Sequence, residues 1–486
     1  MRVSIGAAAV GFVLVGLSAF GVTAVEPPQT GFETSGGSAW TTHADELRFL
    51  AEVDARSERV VVEEIGRTLQ NRPMHLVRIG EPRPQSLEES RALPVQLTMC
   101  TQHGNEPAGR EACLQWIRDL AFTSDPTLVA QMRDQTILYI PTANPDGRDA
   151  NARENADGVD VNRDHLNVVS PEARAIGAAI RDWWPSFVID HHEYGPSEPV
   201  LYDDDVLYLW PRNLNVDPAI RAIGKRFSQE HLRPCLADAG YSSDEYGLAA
   251  VGDIDLEQTA GDEDEGIARN AAGLRHAVGI LVESAVSPKL TSPTELIDAA
   301  ANMNRRVDSH MTTMECTFAF SRSDGTVMRA ASLASRSSGA ADEQIYFDGQ
   351  DEDTTVTGNR DEPTAVAAAP CAYRLSAAAH KQVATALTIH GITSTASGPG
   401  RLVRLAQEAR PVIPLLLDAR GARHSVEGES VAACPDAAAP APRLLPHPPR
   451  VLAGKQLPAS GVSTAILPGM VLLAGAGAAL AAARRY

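Results

Sequence analysis

The sequence predicts an α/β fold, with a mixed, largely parallel central sheet flanked by helices and a small C-terminal segment. Three observations carry that expectation. Between about residues 43 and 315, short apolar strand-like runs alternate with amphipathic helix-like segments, the pattern of a sheet covered by helices. The 486 residues are 44% hydrophobic and 22% charged, enough to bury a sizeable core. Polar clusters follow directly on several of the apolar runs, as expected where parallel strands end at an active site.

Residues 1–24 carry one charge, Arg2, followed by an apolar run and a small-residue end at Val22-Thr23-Ala24, the pattern of a secretory signal peptide. Residues 25–42 are polar and rich in Gly and Ser, and read as a flexible leader. The first strand candidate covers 95–101. Residues 106–120 read as a helix, with Pro107 near its start and Cys113, Trp116, Ile117 and Leu120 on one face. A second strand covers 136–140. Residues 170–184 read as a helix capped by Ser170, with Pro171 in its first turn and Ile176, Ile180, Trp183 and Trp184 as an apolar stripe. Strands over 186–189 and 278–282 complete the core of a domain spanning 43–315.

Residues 321–369 are rich in Ser, Ala, Asp, Gly and Thr, with an acidic run at 348–353, and read as a linker or long loop. Residues 370–434 look ordered again, with a helix over 381–390 and an apolar core segment over 412–417. They form a small appended module or a late part of the same domain. Residues 435–456 are a Pro/Ala-rich stalk.

The chain's last 30 residues carry a pattern of their own. Leu457-Pro458-Ala459-Ser460-Gly461 precedes an uncharged, mostly apolar stretch over 462–483 and the basic pair Arg484-Arg485. The stretch is long enough to span a bilayer, and positive charge beyond it favours a cytoplasmic end. Pentapeptide, apolar stretch and basic tail in this order resemble the LPxTG cell-wall sorting signal of Gram-positive bacteria, with Ser in place of Thr. The resemblance implies that a sortase cuts between Ser460 and Gly461 and joins the new end to cell-wall peptidoglycan. Uncleaved, 457–486 would act as a membrane anchor. Arg supplies all but four of the 43 basic residues, which suggests a GC-rich genome. The expected location is therefore the extracellular face of a GC-rich Gram-positive bacterium, wall- or membrane-anchored.

The net charge of −19 argues against a nucleic-acid binder, which needs a basic surface to displace counterions. Six Cys in an exported chain permit disulfides, and six allow fifteen full pairings. Cys100 and Cys113 are equally readable as buried thiols or as a pair. No CxxC is present, which argues against a cysteine zinc site.

The chemistry lies in four pieces. In Thr101-Gln102-His103-Gly104-Asn105-Glu106, a His and a Glu three apart leave a strand and can place an imidazole and a carboxylate on one metal ion. Asp190-His191-His192-Glu193 ends the third strand and offers a further imidazole; neighbouring carboxylates can orient the rings. Between these stand the turn Asn144-Pro145-Asp146-Gly147 and the run Arg153 to Asp164, where Arg163 follows Asn162. A planar guanidinium in a cleft can clamp a carboxylate. Glu283 ends the apolar strand over 278–282, where a carboxylate can take a proton from an attacking water.

In this order the pieces resemble the zinc metallocarboxypeptidases of the carboxypeptidase A, B and D clan. That family's pattern runs HxxE, NPDG, an Arg ahead of D-x-N-R, a His at a strand end and a strand-terminal Glu. The resemblance covers about 43–315 and implies the zinc carboxypeptidase fold. It implies one Zn²⁺ per chain on His103, Glu106 and His192, with His192 preferred to His191. It implies Arg153 as stabiliser of the oxyanion, Asn162 and Arg163 as grips for the substrate's terminal carboxylate, and Glu283 as general base and then acid. The partners implied are peptide or protein C-termini. An envelope amidase acting on peptidoglycan stem peptides, or a surface binding protein with a vestigial site, are the alternatives. The family's substrate-capping Tyr has no clear counterpart; Tyr241 and Tyr246 are nearest, beside an acidic segment over 252–266.

Overall fold

The computed structural model describes residues 26–434, apart from 197–201, 247, 252–253, 258–261, 290–291, 339–343, 350–362 and 364. The predicted signal peptide 1–24, stalk 435–456 and sorting signal 457–486 lie outside the described residues. Among the described residues, no helix is long and apolar enough to cross a membrane.

The strands in chain order are β1 (Val60–Arg67), β2 (Pro73–Ile79), β3 (Val95–Cys100), β4 (Thr136–Ile140), β5 (Phe187–Tyr194), β6 (Val206–Leu209) and β7 (Ser243–Glu245). A short antiparallel pair, β8 (Leu248–Val251) and β9 (Ile254–Glu257), precedes β10 (Val278–Ala285). Eight of these make one sheet in the order β1-β2-β4-β3-β5-β10-β6-β7. The central four, β4-β3-β5-β10, are mutually parallel. Antiparallel β1, β2 and β6 make the sheet mixed. This is the expected fold class.

Parallel pairing brings the C-terminal ends of β3, β5 and β10 to one edge. In register, Cys100 stands beside His191 and Glu283 beside His192. The helix Ala108–Phe122 and the long helix Ala299–Ser337 cover one face around Cys113, Trp116, Ile117, Met314 and Phe318. The helices Pro171–Trp183 and Ala268–Leu274 cover the other around Ile176, Ile180, Val188 and Ala272. Covered on both faces, the central strands read as continuous apolar runs, which is why β3 and β4 were legible.

Three expectations are corrected. The third strand does not stop at 189: β5 continues to Tyr194 and every residue of it is buried. A polar cluster inside a strand is tolerated here because each side chain finds a partner, as described below. The leader is not flexible over 26–42. Thr30 and Glu33 form a reciprocal capping box on the short helix Gly31–Thr34, and buried Phe32 stacks on Trp40 at 5.2 Å. Gly and Ser content concealed those two anchors. The linker expected over 321–369 is helical to Ser337, so the 315 boundary falls inside a 39-residue helix capped by Asp298. Its buried face is largely polar. Arg329 donates to the Arg91 carbonyl at 2.6 Å, Ser321 to Gln135 at 2.6 Å, and Ser335 meets His276 at 2.8 Å. Such a face leaves no hydrophobic period to read.

The strands β11 (Gln344–Tyr346) and β12 (Val366–Ala368) pair with each other. Then β13 (Ala372–Leu375), β14 (Thr395–Ser397), β15 (Gly400–Arg404) and β16 (Glu429–Val431) form a four-stranded sheet, order β14-β15-β13-β16. The helices Ala377–Ile389 and Val412–Leu417 lie where a helix and an apolar segment were expected. This C-terminal segment shares one apolar cluster with the main domain, joining Leu166, Val168 and Leu274 to Leu375, Val383, Leu387 and Leu416. His390 Nε2 bonds the Leu166 carbonyl at 2.7 Å. All six Cys pair: Cys100–Cys113, Cys235–Cys316 and Cys371–Cys434.

Candidate metal and catalytic site

The loop after β3 is shaped by close backbone packing. A Cβ at Gly104 would lie 1.9 Å from the Gly147 carbonyl carbon, so only glycine fits there. Asn144 caps the helix Pro145–Ala150 and donates through Nδ2 to the Gln102 carbonyl at 3.1 Å. The Asn-Pro-Asp-Gly turn therefore supports the His103 loop. Thr101 adopts φ 56° and bonds the Glu106 carbonyl through Oγ1 at 3.2 Å, folding His103 and Glu106 to the same side.

In β5, alternation sends Asp190 and His192 to one face and His191 and Glu193 to the other. His192 joins His103 and Glu106. His191 instead packs against His310 of the long helix, Nδ1 to Nδ1 3.0 Å, and Glu193 pairs with Arg306 at 2.7 Å.

His103, Glu106 and His192 are all buried, and their ligating atoms lie within 4.8 Å of one another. His103 Nδ1 is 2.8 Å from Glu106 Oε1, and His192 Nδ1 is 2.8 Å from Glu106 Oε2. The outer ring nitrogens face carboxylates. His192 Nε2 is 2.7 Å from Asp190 Oδ2, and His103 Nε2 is 3.1 Å from Asp160 Oδ1. Those carboxylates accept the Nε2 protons, which assigns the lone pairs to the two Nδ1 atoms. Two such lone pairs facing each other beside a carboxylate suit a cation between them, and two imidazoles plus a carboxylate are a donor set zinc takes. The residues fit a zinc ion.

The cluster's carboxylates favour positive charge at this place, carried by protons or by a bound cation. Burial would lower the His192 pKa, but Asp190 and Glu106 overcome it and raise it well above the usual histidine value. Burial also opposes ionisation of Glu106, yet His103 and His192 hold its carboxyl far below the usual range. Behind Asp190, Gln102 donates from Nε2 at 2.6 Å, and its Oε1 meets His165 Nε2 at 2.6 Å. Burial brings His165 down to about 4, so it stands neutral as the donor to Gln102.

Glu283 stands beside His192 across the parallel β5–β10 pair. Burial lifts its pKa to about 7, with His192, Glu106, His103 and Arg153 all acting on it. Arg153 is about a third exposed: its Nη1 lies 3.1 Å from His103 Nδ1 and its Nη2 donates to Asp160 Oδ2 at 2.9 Å. Arg163 donates through Nη1 to the Asn162 carbonyl at 2.9 Å and, with Asp160, lines a cavity of about 540 Å³. Asn162 is turned inward: Oδ1 accepts the Ala268 N–H at 2.8 Å, and Nδ2 packs 3.0 Å from His192 Nε2, a contact rather than a hydrogen bond because both nitrogens carry protons.

Of the expected site residues within the described structure, His103, Glu106, His192, Glu283, Arg153 and Asn162 meet at one place, while Arg163 lines a cavity shared with Asp160. Asp160, which holds both His103 and Arg153, carried no assigned role in the sequence; its place two residues before Asn162 was the available signal. Of the two tyrosines named by proximity, Tyr246 is within electrostatic reach of Glu283, Glu106 and Arg153, and its ring packs edge-on against Tyr202 at 5.5 Å. Tyr241 faces Asp308 and Asp205 instead.

Two imidazoles and a carboxylate close to the ends of parallel strands, with a buried carboxylate alongside, make up a centre that can hold a metal ion beside a proton-accepting group. Part of the chain is similar to known proteins. Residues 47–203, which include all three metal-ligand candidates, match the zinc carboxypeptidase family model. Carboxypeptidase 2 of Trichophyton tonsurans is 30% identical over 191 residues, 37% of this chain and 35% of that protein. Carboxypeptidase SOL1 of Arabidopsis thaliana is 33% identical over 131 residues, 24% of this chain and 26% of that protein. The chain spans about a third of the length of the first of these relatives. Among solved structures, a metallo-carboxypeptidase from Burkholderia cenocepacia is 19% identical with a TM-score of 0.45, covering 58% of this chain and 69% of that one.

Proposed function

We propose that the chain is a zinc-dependent metallocarboxypeptidase that releases residues from the C-termini of peptides or proteins. The observation that carries this reading is the convergence of His103 Nδ1, Glu106 and His192 Nδ1 beside the buried carboxylate of Glu283. The family match over 47–203 supports it.

A zinc ion on these three residues would supply Lewis acidity, acidifying water and polarising the scissile carbonyl. The chain's own residues do the rest. Glu283, with a pKa near 7, is poised to take a proton from the attacking water and to hand it to the departing amine nitrogen. Arg153, held by Asp160, presents a cation where negative charge develops on the carbonyl oxygen. Arg163 binds the terminal carboxylate and so confines attack to the chain end. Asn162 is buried beside His192 with its Oδ1 bonded to the Ala268 N–H, so it contributes by packing rather than by reaching the cleft.

The same proposal places the protein outside the cell and on its surface, through the 1–24 and 457–486 segments and a sortase acting on the latter. Three disulfides are compatible with an oxidising compartment. The deciding experiment measures metal content and release of C-terminal residues together. The reading expects one zinc per chain, loss of peptidase activity on chelation and recovery with added zinc. Purified full-length protein that retains no zinc, or cleaves equally well after chelation, overturns it.

A further inference from the structure

Arg163 has an acidic neighbour. Asp264 Oδ2 lies 3.7 Å from Arg163 Nε, outside hydrogen-bond distance. A fixed carboxylate beside a carboxylate-binding guanidinium is a competitor for it. Closing that gap by about an ångström would make an internal bidentate pair and occupy the face a substrate needs.

What engages Asp264 is a second arginine from far along the chain. Arg423 Nη2 donates to the same Oδ2, while Asp264 Oδ1 accepts the Gly266 N–H at 2.8 Å. Arg423 is itself fixed through its backbone. Its N–H donates to Glu265 Oε1 at 3.3 Å, and its carbonyl accepts from Asn167 Nδ2 at 2.9 Å. Ser425, two residues on, donates to Asn167 Oδ1. The backbones beneath are closely packed: a Cβ at Gly266 would meet the Arg163 carbonyl oxygen at 2.4 Å. Asp264 is therefore held between two guanidinium groups, bonded to Arg423 and not to Arg163. Both arginines line the same cavity, together with Gln382, Val383 and Ala386 of the C-terminal segment.

We propose that Arg423 is a positioning residue for Arg163: by sequestering Asp264 it keeps the guanidinium of Arg163 available for the substrate's terminal carboxylate. The C-terminal segment, remote in sequence from every metal-ligand candidate, then sets substrate affinity. This rests on the carboxypeptidase reading above.

The test uses full-length, disulfide-intact protein and a blocked peptide with a free C-terminal carboxylate. Arg423→Ala is expected to raise KM about tenfold with kcat within about twofold, because ground-state carboxylate binding is what is lost. Arg423→Ala combined with Asp264→Asn is expected to return KM to within about twofold of the parent, since the competitor has gone too. The double variant lacks the Arg423 contacts as fully as the single one, so this recovery cannot come from restored packing. Arg423→Lys, which keeps the charge, is expected to stay close to the parent. If Arg423→Ala fails to fold, Arg423→Gln carries the same expectation with the side-chain bulk retained. An unchanged KM in the single variant, or no recovery in the double one, overturns the proposal. Arg163→Ala separates the two levels. If it raises KM while Arg423→Ala does not, only the present inference falls; if it leaves KM unchanged, the carboxylate-binding reading fails and takes the inference with it. Binding of the same peptide in a Glu283→Gln background gives a dissociation constant free of turnover and is expected to follow the same order.

Discussion

His103 and His192 face each other through their Nδ1 atoms, 3.0 Å apart, with the Glu106 carboxylate 2.8 Å from each. The two outer nitrogens rest on Asp160 and Asp190. Metal affinity should therefore separate the adjacent histidines of β5. His192→Ala is expected to abolish stoichiometric zinc binding. His191→Ala is expected to keep it and to lose about 1–3 kcal/mol of stability, because it leaves the buried His310 without its partner. Asp190→Asn should weaken zinc about 10–100-fold while leaving the three ligands in place. Zinc titration with a chromophoric competitor, alongside thermal melts, checks all three.

The raised pKa of Glu283 predicts a pH dependence. The group works as a base only when ionised, so kcat/KM should rise with pH through an acid limb near 7. Its folded pKa lies above its ordinary 4.5, so the fold holds its proton more tightly than the unfolded chain does. The stability it contributes is present below pH 4.5 and is lost as pH rises through about 7. Glu283→Gln should keep zinc, lower kcat by about 10²–10⁴ and flatten the stability change over that window. A variant that cleaves as fast as the parent would remove Glu283 from the mechanism.

Arg163→Ala should act on substrate rather than on metal. Loss of a charge-assisted pair predicts KM raised by about 10–100-fold for peptides with a free C-terminal carboxylate. Hydrolysis of C-terminally amidated peptides, where detectable, should hardly change. Equal losses on both substrates would assign Arg163 a structural role.

Gly104→Ala tests the scaffold under the ligands. The added methyl group cannot fit against Gly147 without moving the loop that carries His103. Zinc affinity and melting temperature should fall together, the latter by an amount equivalent to about 1–3 kcal/mol. Normal zinc binding with an unchanged melt would mean the loop relaxes freely.

Much of this site could be read from local patterns. His103 and Glu106 are three apart on one turn, a relationship that survives any tertiary arrangement. Glu283 closes an apolar run long enough to identify its strand. The polarity of β5 hid its length, because a buried strand of Asp, His, His and Glu is stable only when each side chain meets a partner supplied by other segments. The same holds for Ala299–Ser337, where buried Ser and Arg residues replace the apolar stripe that marks most helices.

The sequence by itself determined the class of fold, the set of metal-binding and proton-transferring residue types and, through strand alternation, that Asp190 and His192 share a face. Those depend on periodicity and spacing within a few residues. Only the tertiary structure decided which of the two histidines meets His103, that Asn162 packs against His192, and that Arg423 reaches Asp264 across 159 residues of chain. Contacts of that kind arise from strand register and from the packing of the C-terminal segment on the main sheet domain. Neither leaves a local signature, because the partners lie far apart in the chain and each alone reads as an ordinary polar residue.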